Sequence, residues 1–590
     1  IEKHANVQVV GYYQKNNRFG FVLPDNTKLF KDIYIPETRG KGAKTGDKVV
    51  VEITDFGGDK RKPEGKIVEI LGKNTDAGVD ILSIAKSFGL PEKFNEDVEN
   101  ELKSIPTKVL KKDIRGRVDF RDKVTVTIDG EDAKDLDDAI TLEKNGNIWH
   151  LGVHIADVTH YVKENTALDK EALHRATSVY LVDRVIPMLP RKLSNGICSL
   201  NQGEDRLALS CIMEIDENGN IIGHNICESV INVNERMTYT AVNEVITDSN
   251  EDTKKRYAEY IDLFNDFKKV SDLLRGARTK RGSIDFDLPE SKVILDKNGK
   301  AVDIKPYDRN AATKLIEDFM VAANEVVAEK LFWEEIPTIY RVHEDPDKAK
   351  ISVLNESLAK FGYYIKNLDD LHPGKFQTII EKTTGLPEGY LIHKLILRAM
   401  QRARYANKNL GHFGLASKYY LHFTSPIRRY SDLVVHRMLG RSIERFMKEK
   451  EKAKYMSSFE VISTAISRTE RIADKLEEDS VKIKLIEYMQ DKIGKTYIAR
   501  LSGMNRNKIF MELENHIEVV YNVNTVRDSF VYDEENYKIT DRKNNISYTM
   551  GDTLKVIVTG ASYDRMEIEV VPFSEEEIDL ENTETEDEGN

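Results

Sequence analysis

Four aspartates within ten residues are the side chains of this sequence best suited to chemistry: Asp129, Asp135, Asp137 and Asp138. Carboxylates this close repel one another, and each raises the pKa of its neighbours. A hard divalent cation relieves that repulsion, because Mg²⁺ takes oxygen ligands in an octahedral arrangement. The spacing therefore raises the hypothesis of a magnesium site for phosphodiester chemistry.

The acidic segment has two other interpretations. A loop rich in Asp is commonly a solvated turn. A calcium loop of the EF-hand type requires Gly at its sixth position, but counting from Asp135 places Ile140 there and counting from Asp129 places Lys134 there. The spacing thus excludes the calcium loop. Apolar and β-branched neighbours indicate partial burial at a strand end, which favours a metal site over a solvated turn.

A second candidate part of the site runs from His422 to Asp432 and reads HFTSPIRRYSD. The Ser-Pro pair predicts a tight turn with Pro426 early in the helix that follows. Arg428 and Arg429 would then face phosphate, because guanidinium groups match phosphate oxygens bidentately. The alternative is a surface ion pair with Asp432 or another neighbour.

A third candidate is Tyr180, which precedes the loop IPMLP, where two prolines restrict the backbone. A tyrosine beside a metal site can stack on a terminal base. Tyrosines that pack in a core are commoner in general, so this residue alone does not decide between the two roles.

The elements that must position these side chains begin with short alternating strands over residues 1 to about 72. Five such strands separated by Gly and Pro turns predict a small β-barrel. Phe19 and Phe21 fall on one face of a predicted strand beside Arg18, where they stack on bases or pack inside the barrel. Residues 491–573 return to short strands and predict a second barrel.

Between the barrels, residues from about 76 to 488 mix strands and helices without a detectable repeat. Helical periodicity covers residues 255–279 and 311–333, and a charged helical stretch covers roughly 452–490. The sequence thus predicts a multidomain protein with a β-barrel on each side of a central α+β domain.

The composition is that of a large protein without a membrane span. Its 590 residues allow more than one domain, and no apolar run is long enough to cross a bilayer. Three cysteines without CxxC spacing, and no secretory signal, predict reduced thiols and a cytoplasmic location. Ile1 rather than Met stands first, which is consistent with a fragment or a processed product.

The formal charge of −12 is unevenly distributed along the chain. Residues 574–590 carry nine acidic groups and no basic ones, and we expect this tail to be disordered because it has little to bury. Residues 401–450 hold eleven Lys or Arg against three Asp or Glu. This local positive charge suits a nucleic-acid partner, which the net charge alone would have argued against.

The motifs resemble those of the ribonuclease II/ribonuclease R family of 3′→5′ exoribonucleases, and GSIDFDLPE and SPIRRY are more similar to ribonuclease R. The resemblance covers nearly the whole chain except the tail. It implies a cold-shock-like OB domain at residues 1–75, an RNB catalytic domain at 76–488, an S-one-type OB domain at 489–573 and the tail at 574–590. The matching segments, in order, are TIDGEDAKDLDDA, LGVHIADVTHYV, VIPMLPRKLSNGICSLN, GSIDFDLPE, YRVHEDPD and HFGLASKYYLHFTSPIRRYSDLVVHR.

The resemblance also implies roles for single residues of the acidic segment. Asp129, Asp135 and Asp138 match metal-binding aspartates of the family. Asp137 belongs to the same metal group and matches the aspartate whose loss abolishes cleavage while RNA binding survives.

The remaining roles fall on more distant parts of the chain. Tyr180 matches a tyrosine that stacks near the RNA 3′ end, and Arg428 matches an arginine near the scissile phosphate. Glu477 matches a glutamate of the active site less securely, because the local sequence departs from the family at Glu478. The predicted RNA contacts are Phe19, Phe21, Tyr180, Arg428 and Arg429.

A monomeric, processive enzyme follows from the resemblance. It would hydrolyse RNA from a 3′ single-stranded end to nucleoside 5′-monophosphates by a Mg²⁺-dependent two-metal mechanism, and would act on structured RNA. The alternatives are a ribonuclease II-like enzyme limited to single strands, a catalytically inactive RNA-binding relative and a structure-specific endonuclease. The intact aspartates argue against the inactive relative, and a terminal clamp at Tyr180 argues against the endonuclease.

Overall fold

The computed structural model describes most of the chain. The described residues are 8–25, 32–58, 61–73, 76–286, 290–307, 309–386, 388–444, 446–523, 530–533, 538–542, 546–563 and 565–573. The acidic tail lies outside them, so the expectation of disorder there stays a prediction.

Within the described ranges, the strands form two closed barrels, one large sheet and four small sheets. In chain order they are β1 (Gln8–Lys15), β2 (Phe19–Pro24), β3 (Ile33–Pro36), β4 (Asp47–Asp55), β5 (Glu64–Lys73), β6 (Val118–Asp119), β7 (Val126–Asp129), β8 (Asp138–Asn145), β9 (Ile148–Ala156), β10 (Val179–Tyr180), β11 (Val185–Ile186), β12 (Asp205–Ile215), β13 (Ile221–Asn232), β14 (Glu235–Thr238), β15 (Glu290–Leu295), β16 (Ala301–Tyr307), β17 (Tyr340–Val342), β18 (Arg404–Ala406), β19 (Thr496–Asn505), β20 (Lys508–Leu513), β21 (Glu518–Asn522), β22 (Phe530–Asp533), β23 (Lys538–Asp541), β24 (Ile546–Thr549), β25 (Thr553–Ser562) and β26 (Glu567–Pro572).

The α-helices belong to the region between the two barrels. They are α1 (Val79–Ser87), α2 (Glu96–Ser104), α3 (Lys111–Ile114), α4 (Ala167–Arg175), α5 (Tyr239–Ile246), α6 (Glu251–Arg256), α7 (Ile261–Arg281), α8 (Ala311–Trp333), α9 (Lys348–Ala359), α10 (Pro373–Thr383), α11 (Gly389–Ala399), α12 (Tyr430–Glu444) and α13 (Glu449–Gln490).

The first barrel closes in the order β1-β2-β3-β5-β4. Its strands alternate inward and outward side chains, so that Val22, Ile35 and Val49 fill the interior. Gly20 on β2 allows a close approach, because a Cβ there would lie 2.2 Å from the ring of Tyr13. Phe19 and Phe21, which flank this glycine, lie on the outward face of β2.

The central region is built on a seven-stranded sheet of order β14-β7-β8-β9-β12-β13-β6. Strands β14 and β7 run parallel, whereas β7, β8, β9, β12 and β13 pair antiparallel in sequence. Helices α7 and α8 pack on this sheet through buried Phe264, Phe267 and Phe319. Burial of such aromatic side chains contributes about 1.5–3 kcal/mol each, which makes this sheet a rigid support for the loops at its ends.

Helix boundaries follow local capping. The Asn310 side chain accepts hydrogen bonds from the N–H groups of Ala312 and Thr313 at the start of α8. Gly282 ends α7 in the left-handed conformation, at φ 99°. The 42-residue helix α13 then links the regions, because it contacts α1, β10 and β18 as well as β25 of the second barrel.

The predicted architecture of two β-barrels around a central α+β region is confirmed. The second barrel closes in the order β19-β20-β21-β26-β25, and the separate sheet β22-β23-β24 was not predicted. The helical stretch predicted over residues 255–279 is interrupted: α6 ends at Arg256 and α7 begins at Ile261, and Tyr257 between them is buried in the core in a non-helical conformation. No helix in the described ranges is long and apolar enough to cross a membrane.

Candidate active site

The four aspartates lie where two neighbouring strands of the large sheet meet the same loop. Asp129 is the last residue of β7, and Asp138 is the first residue of β8. The pairing of Val126 with Ile140 holds these two strand ends together. Asp135 lies in the loop between them. The sequence shows only that the residue numbers of these aspartates are close, whereas the pairing of the two strands brings their carboxylates together in space.

Hydrogen bonds fix the second half of this loop. Buried Ser199 accepts a bond from the N–H of Leu136 at 3.1 Å, and its hydroxyl donates to the carbonyl of Lys134 at 2.9 Å. The N–H of Leu200 donates to the carbonyl of Leu136 at 3.0 Å. Because backbone groups that are held in this way have little freedom, the carboxylates on either side keep a defined direction.

Burial and mutual repulsion set the electrostatics of the site. Asp137 is 3% exposed, and this burial raises its pKa well above the ordinary value despite the nearby charge of Arg428. Burial first, and then the charge of Asp135, raises the pKa of Asp129. Burial and the charge of Asp129 likewise raise the pKa of Asp138. Asp129, Asp137 and Asp138 are thus costly to hold ionised without a partner, so the site attracts positive charge.

The donor set fits a hard divalent cation. Asp129 Oδ2 and Asp137 Oδ2 are buried and accept no hydrogen bond from the described residues. Within the described residues, no group of three or more His, Cys, Asp or Glu side chains is arranged to hold a metal ion by itself. Such a half-open carboxylate set suits Mg²⁺, which usually keeps several waters and binds substrate phosphate through its remaining positions.

The Ser-Pro loop reaches the aspartates from the far end of the central region. The N–H of Ile427 donates to Asp137 Oδ1 at 2.8 Å, which joins residues 290 positions apart. Arg428 Nε lies 3.6 Å from Asp137 Oδ2, and the Arg428 side chain remains 40% exposed. Pro426 lies in a turn and α12 begins only at Tyr430, so the prediction of Pro426 early in the helix was wrong.

A buried ion pair holds this loop. Arg429 Nε donates to Asp432 Oδ2 at 3.0 Å, and Arg429 Nη2 donates to Asp432 Oδ1 at 2.8 Å. Asp432 also accepts from the N–H of Ser425 at 2.8 Å. The ion pair weighed as an alternative from the sequence is therefore present, although it is buried rather than exposed. A direct contact of Arg429 with RNA stays a prediction.

Tyr180 connects the aspartates to the long helix. Its hydroxyl donates to Asp135 Oδ2 at 2.8 Å, and its N–H donates to Glu477 Oε1 at 2.7 Å. The Tyr180 side chain is 38% exposed, so part of the ring remains open to a ligand. Burial raises the pKa of Glu477, which lies on α13. Residues predicted separately at 135, 180, 428 and 477 thus meet at one place.

The predicted RNA-binding aromatics lie on the first barrel, apart from this cluster. Phe19 and Phe21 are half-buried on β2 and do not belong to the barrel core. Their side chains therefore lie on the outer face of the barrel and do not pack in its interior. Their ring centroids lie 5.4 Å apart, and Tyr34 lies 5.6 and 5.9 Å from them. Lys62 Nζ lies 4.6 Å from the centre of the Phe21 ring. This is the composition of a surface that stacks bases.

Several residues of these two sites escaped sequence reasoning. Tyr34 and Lys62 join the aromatic pair through strand pairing and a later loop, and Ser199 supports the aspartate loop from 63 residues away. Only Ser199 had a signal, since it falls within the segment VIPMLPRKLSNGICSLN that was singled out for other reasons. Spacing along the chain does not reveal such contacts.

Comparison with known proteins identifies related chains. A model of the RNB domain matches residues 117–445, and a model of the cold shock domain matches residues 21–95. Ribonuclease R of Thermotoga maritima is 44% identical over 97% of this chain and 81% of its own length. Mycoplasma genitalium ribonuclease R with ribose-methylated single-stranded RNA has a TM-score of 0.90 at 27% identity, covering 97% of this chain and 90% of that chain. Its complex with double-stranded RNA has a TM-score of 0.85 at 26% identity, covering 97% and 96%.

The geometry at Tyr180 predicts two separable defects. Tyr180→Phe keeps the ring and removes the hydrogen bond to Asp135, whose loss costs about 1.5–3 kcal/mol when the acceptor is charged. We expect slower cleavage and an unchanged length of the smallest product on end-labelled single-stranded RNA. Tyr180→Ala also removes base stacking, worth about 1–3 kcal/mol, and should change that length.

Tyr364→Ala provides the control, because Tyr364 is 59% exposed and belongs to neither the aspartate loop nor the aromatic surface of the first barrel. It should leave both rate and product length unchanged. A Tyr180→Ala enzyme with the wild-type product ladder would show that the ring does not clamp the strand end.

Proposed function

The chain belongs to the ribonuclease R family, and from that membership we propose how its aspartates, Tyr180 and Arg428 remove nucleotides from an RNA end. It is an RNA-binding 3′→5′ exoribonuclease. The observation that carries the mechanistic proposal is the convergence of Asp137, Arg428 and Tyr180 on one half-open carboxylate cluster. We propose that this cluster cuts the terminal phosphodiester and releases nucleoside 5′-monophosphates processively.

We infer that the required metal is Mg²⁺ and that Asp129, Asp135 and Asp138 hold it, with Asp137 completing the set. Two unpartnered buried carboxylate oxygens and an all-oxygen donor set support this choice. When bound, the metal supplies an activated water and neutralises charge on the leaving 3′ oxygen.

Arg428 acts on the phosphate. Its half-exposed guanidinium lies beside Asp137, and its Nη2 donates to Ser425 Oγ at 3.0 Å. From there it would bind a substrate oxygen and neutralise charge that develops in the transition state. Arg429 acts indirectly, because its bidentate pair with Asp432 fixes the loop that carries Arg428. None of the side chains assigned here serves as a nucleophile, since water attacks the phosphorus.

Tyr180 and Glu477 define where the strand stops. The Tyr180 ring stacks on a base near the 3′ end while its hydroxyl orients Asp135. Glu477 accepts the Tyr180 N–H and so anchors this short strand to α13. The base that stacks is therefore held at a fixed distance from the carboxylates, which is the positional control that hydrolysis from an end requires.

RNA reaches this site as a single strand. We propose that the barrels at residues 1–75 and 489–573 bind it beside the catalytic domain at 76–488, and that Phe19 and Phe21 stack bases on the first barrel. Lys62 adds a positive charge over the Phe21 ring, where it would attract the phosphates of a bound RNA strand. A 3′ single-stranded end, a monomeric protein and a cytoplasmic location complete the proposal.

Action on structured RNA is the part of the proposal that separates this enzyme from a ribonuclease II-like one. It is supported by the similarity to a ribonuclease R solved in complex with double-stranded RNA. The test uses a duplex with a 3′ single-stranded overhang, compared with the same labelled strand unpaired. We expect digestion through the duplex to short products; accumulation of a fragment that ends near the junction would instead favour the ribonuclease II-like alternative.

Asp137→Asn tests the cutting centre. The asparagine keeps an oxygen that can accept the Ile427 N–H, so the loop contact survives while the charge is lost. We expect cleavage of end-labelled single-stranded RNA with Mg²⁺ to fall by at least about 10²-fold, the scale of removing one group that stabilises a transition state. RNA affinity should stay within about twofold, because the binding surfaces are unchanged.

Asp132→Asn is the matched control, since Asp132 is an exposed aspartate of the same loop. It should cleave at the wild-type rate. If Asp137→Asn also did so, the assignment of the cutting centre and the catalytic role of the quartet would both fall.

A further inference from the structure

Arg236 contacts the first half of the aspartate loop, which no group from the Ser-Pro loop or from Ser199 reaches in the described structure. Its Nη2 donates to the carbonyl of Ala133 at 2.7 Å and to the carbonyl of Glu131 at 3.0 Å, and lies 3.4 Å from the carbonyl of Gly130. One guanidinium nitrogen thus contacts three backbone carbonyls within the four residues 130–133, between two of the aspartates.

The sheet dictates this position. Strand β14 runs parallel to β7, with Arg236 opposite Thr127 and Thr238 opposite Asp129. A side chain at 236 therefore stands beside the strand that ends in Asp129 and extends towards the loop that follows it. The charge of Arg236 acts on Asp129 as well, so the same group reaches the loop backbone and the first carboxylate.

The two halves of the loop are held independently. Ser199 bonds residues 134 and 136, whereas Arg236 bonds the carbonyls of 130, 131 and 133. Loss of Arg236 would therefore remove the hydrogen bonds to residues 130–133 only, while residues 134 and 136 would stay bonded to Ser199. Buried or half-buried carbonyls without a donor are costly, so the released segment would move to find other partners.

We propose that Arg236 is a positioning residue for the hydrolysis: by binding the carbonyls of residues 131 and 133 it fixes the separation of Asp129 from Asp135. This inference rests on the proposed function, in which those two aspartates share a cation. A guanidinium suits the task better than an ammonium, because it is planar, always charged and more weakly hydrated, so it is the less costly group to bury against these carbonyls. Groups behind metal ligands typically change metal affinity or activity by about 10–100-fold when they are removed.

A small cavity beside the side chain makes the idea testable by chemical rescue. The cavity has a volume of about 230 Å³ and is lined by Arg236, Glu131, Arg256 and Tyr257. Arg236 Nε is buried and has no hydrogen-bond partner among the described residues. Removing the side chain would enlarge this space, so a small guanidinium compound from solution can enter and bind the same carbonyls.

The experiment compares Arg236→Gln and Arg236→Lys with Arg256→Gln, a control that changes an exposed arginine of the same cavity. Hydrogen exchange of segment 130–134 is measured in the full chain without metal, followed by cleavage of single-stranded RNA over a series of Mg²⁺ concentrations. Arg236→Gln should accelerate exchange in this segment, raise the half-saturating Mg²⁺ concentration about 10–100-fold and leave KM for RNA within about twofold. Arg236→Lys should lie between Arg236→Gln and wild type.

Rescue separates positioning from general damage to the fold. Ethylguanidinium added to Arg236→Ala should lower the Mg²⁺ requirement towards wild type, whereas ethylammonium at the same concentration should not. Wild-type exchange and wild-type Mg²⁺ dependence in both Arg236→Gln and Arg236→Lys would overturn the proposal. So would faster exchange throughout the chain in both variants, without rescue, because Arg236 would then be a general support of the fold.

The proposed function and this inference fail in different ways. If the aspartate quartet were not the cutting centre, Asp137→Asn would still cleave RNA, whatever the result at Arg236. If only the inference were wrong, Asp137→Asn would be inactive while the Arg236 variants kept the wild-type Mg²⁺ dependence.

Discussion

Burial of neighbouring carboxylates is the constraint on which the rest of the site depends. Burial first, and then the charge of a neighbouring aspartate, raises the pKa of Asp129 and of Asp138 at the ends of β7 and β8, and this opposes the folding that brings them together. The cost is offset by positive groups and by hydrogen bonds that hold the loop in spite of the charge. An arginine on each side, Arg428 and Arg236, supplies permanent charge, and a divalent cation would supply the remainder.

The groups around the aspartates come from distant parts of the chain, which ties the aspartate loop to the whole central fold. Strand β14 brings the positive charge of Arg236, the Ser-Pro loop brings that of Arg428, and α13 brings Glu477, which holds the backbone of Tyr180. The largely buried pair of Arg429 with Asp432 holds the Ser-Pro loop, and breaking a buried pair typically costs about 3–5 kcal/mol. Tyr180 and Arg428 remain partly exposed.

Local sequence patterns predicted the strands and helices but not most of the side-chain contacts at the site. Alternating strands indicated both barrels, and the spacing of the aspartates indicated the candidate site, because both signals lie within a few residues. The pairing of Arg429 with Asp432 was considered only as an alternative, and the support of the loop by Ser199 and Arg236 was not foreseen. The contacts of Ser199 and Arg236 join segments more than 60 residues apart and depend on the order of the strands in the sheet. The spacing of residues along a single sequence does not reveal such contacts.

We propose above that the aspartate cluster and Arg428 hold a cation and the terminal phosphate together. Anomalous diffraction from the full chain crystallised with Mn²⁺ and an RNA whose terminal linkage resists hydrolysis tests this most directly. We expect Mn²⁺ bound by oxygens of Asp129, Asp135 and Asp138 and by the terminal phosphate, with Arg428 against the same phosphate. Mn²⁺ bound elsewhere, with the RNA end distant from these aspartates, would contradict it.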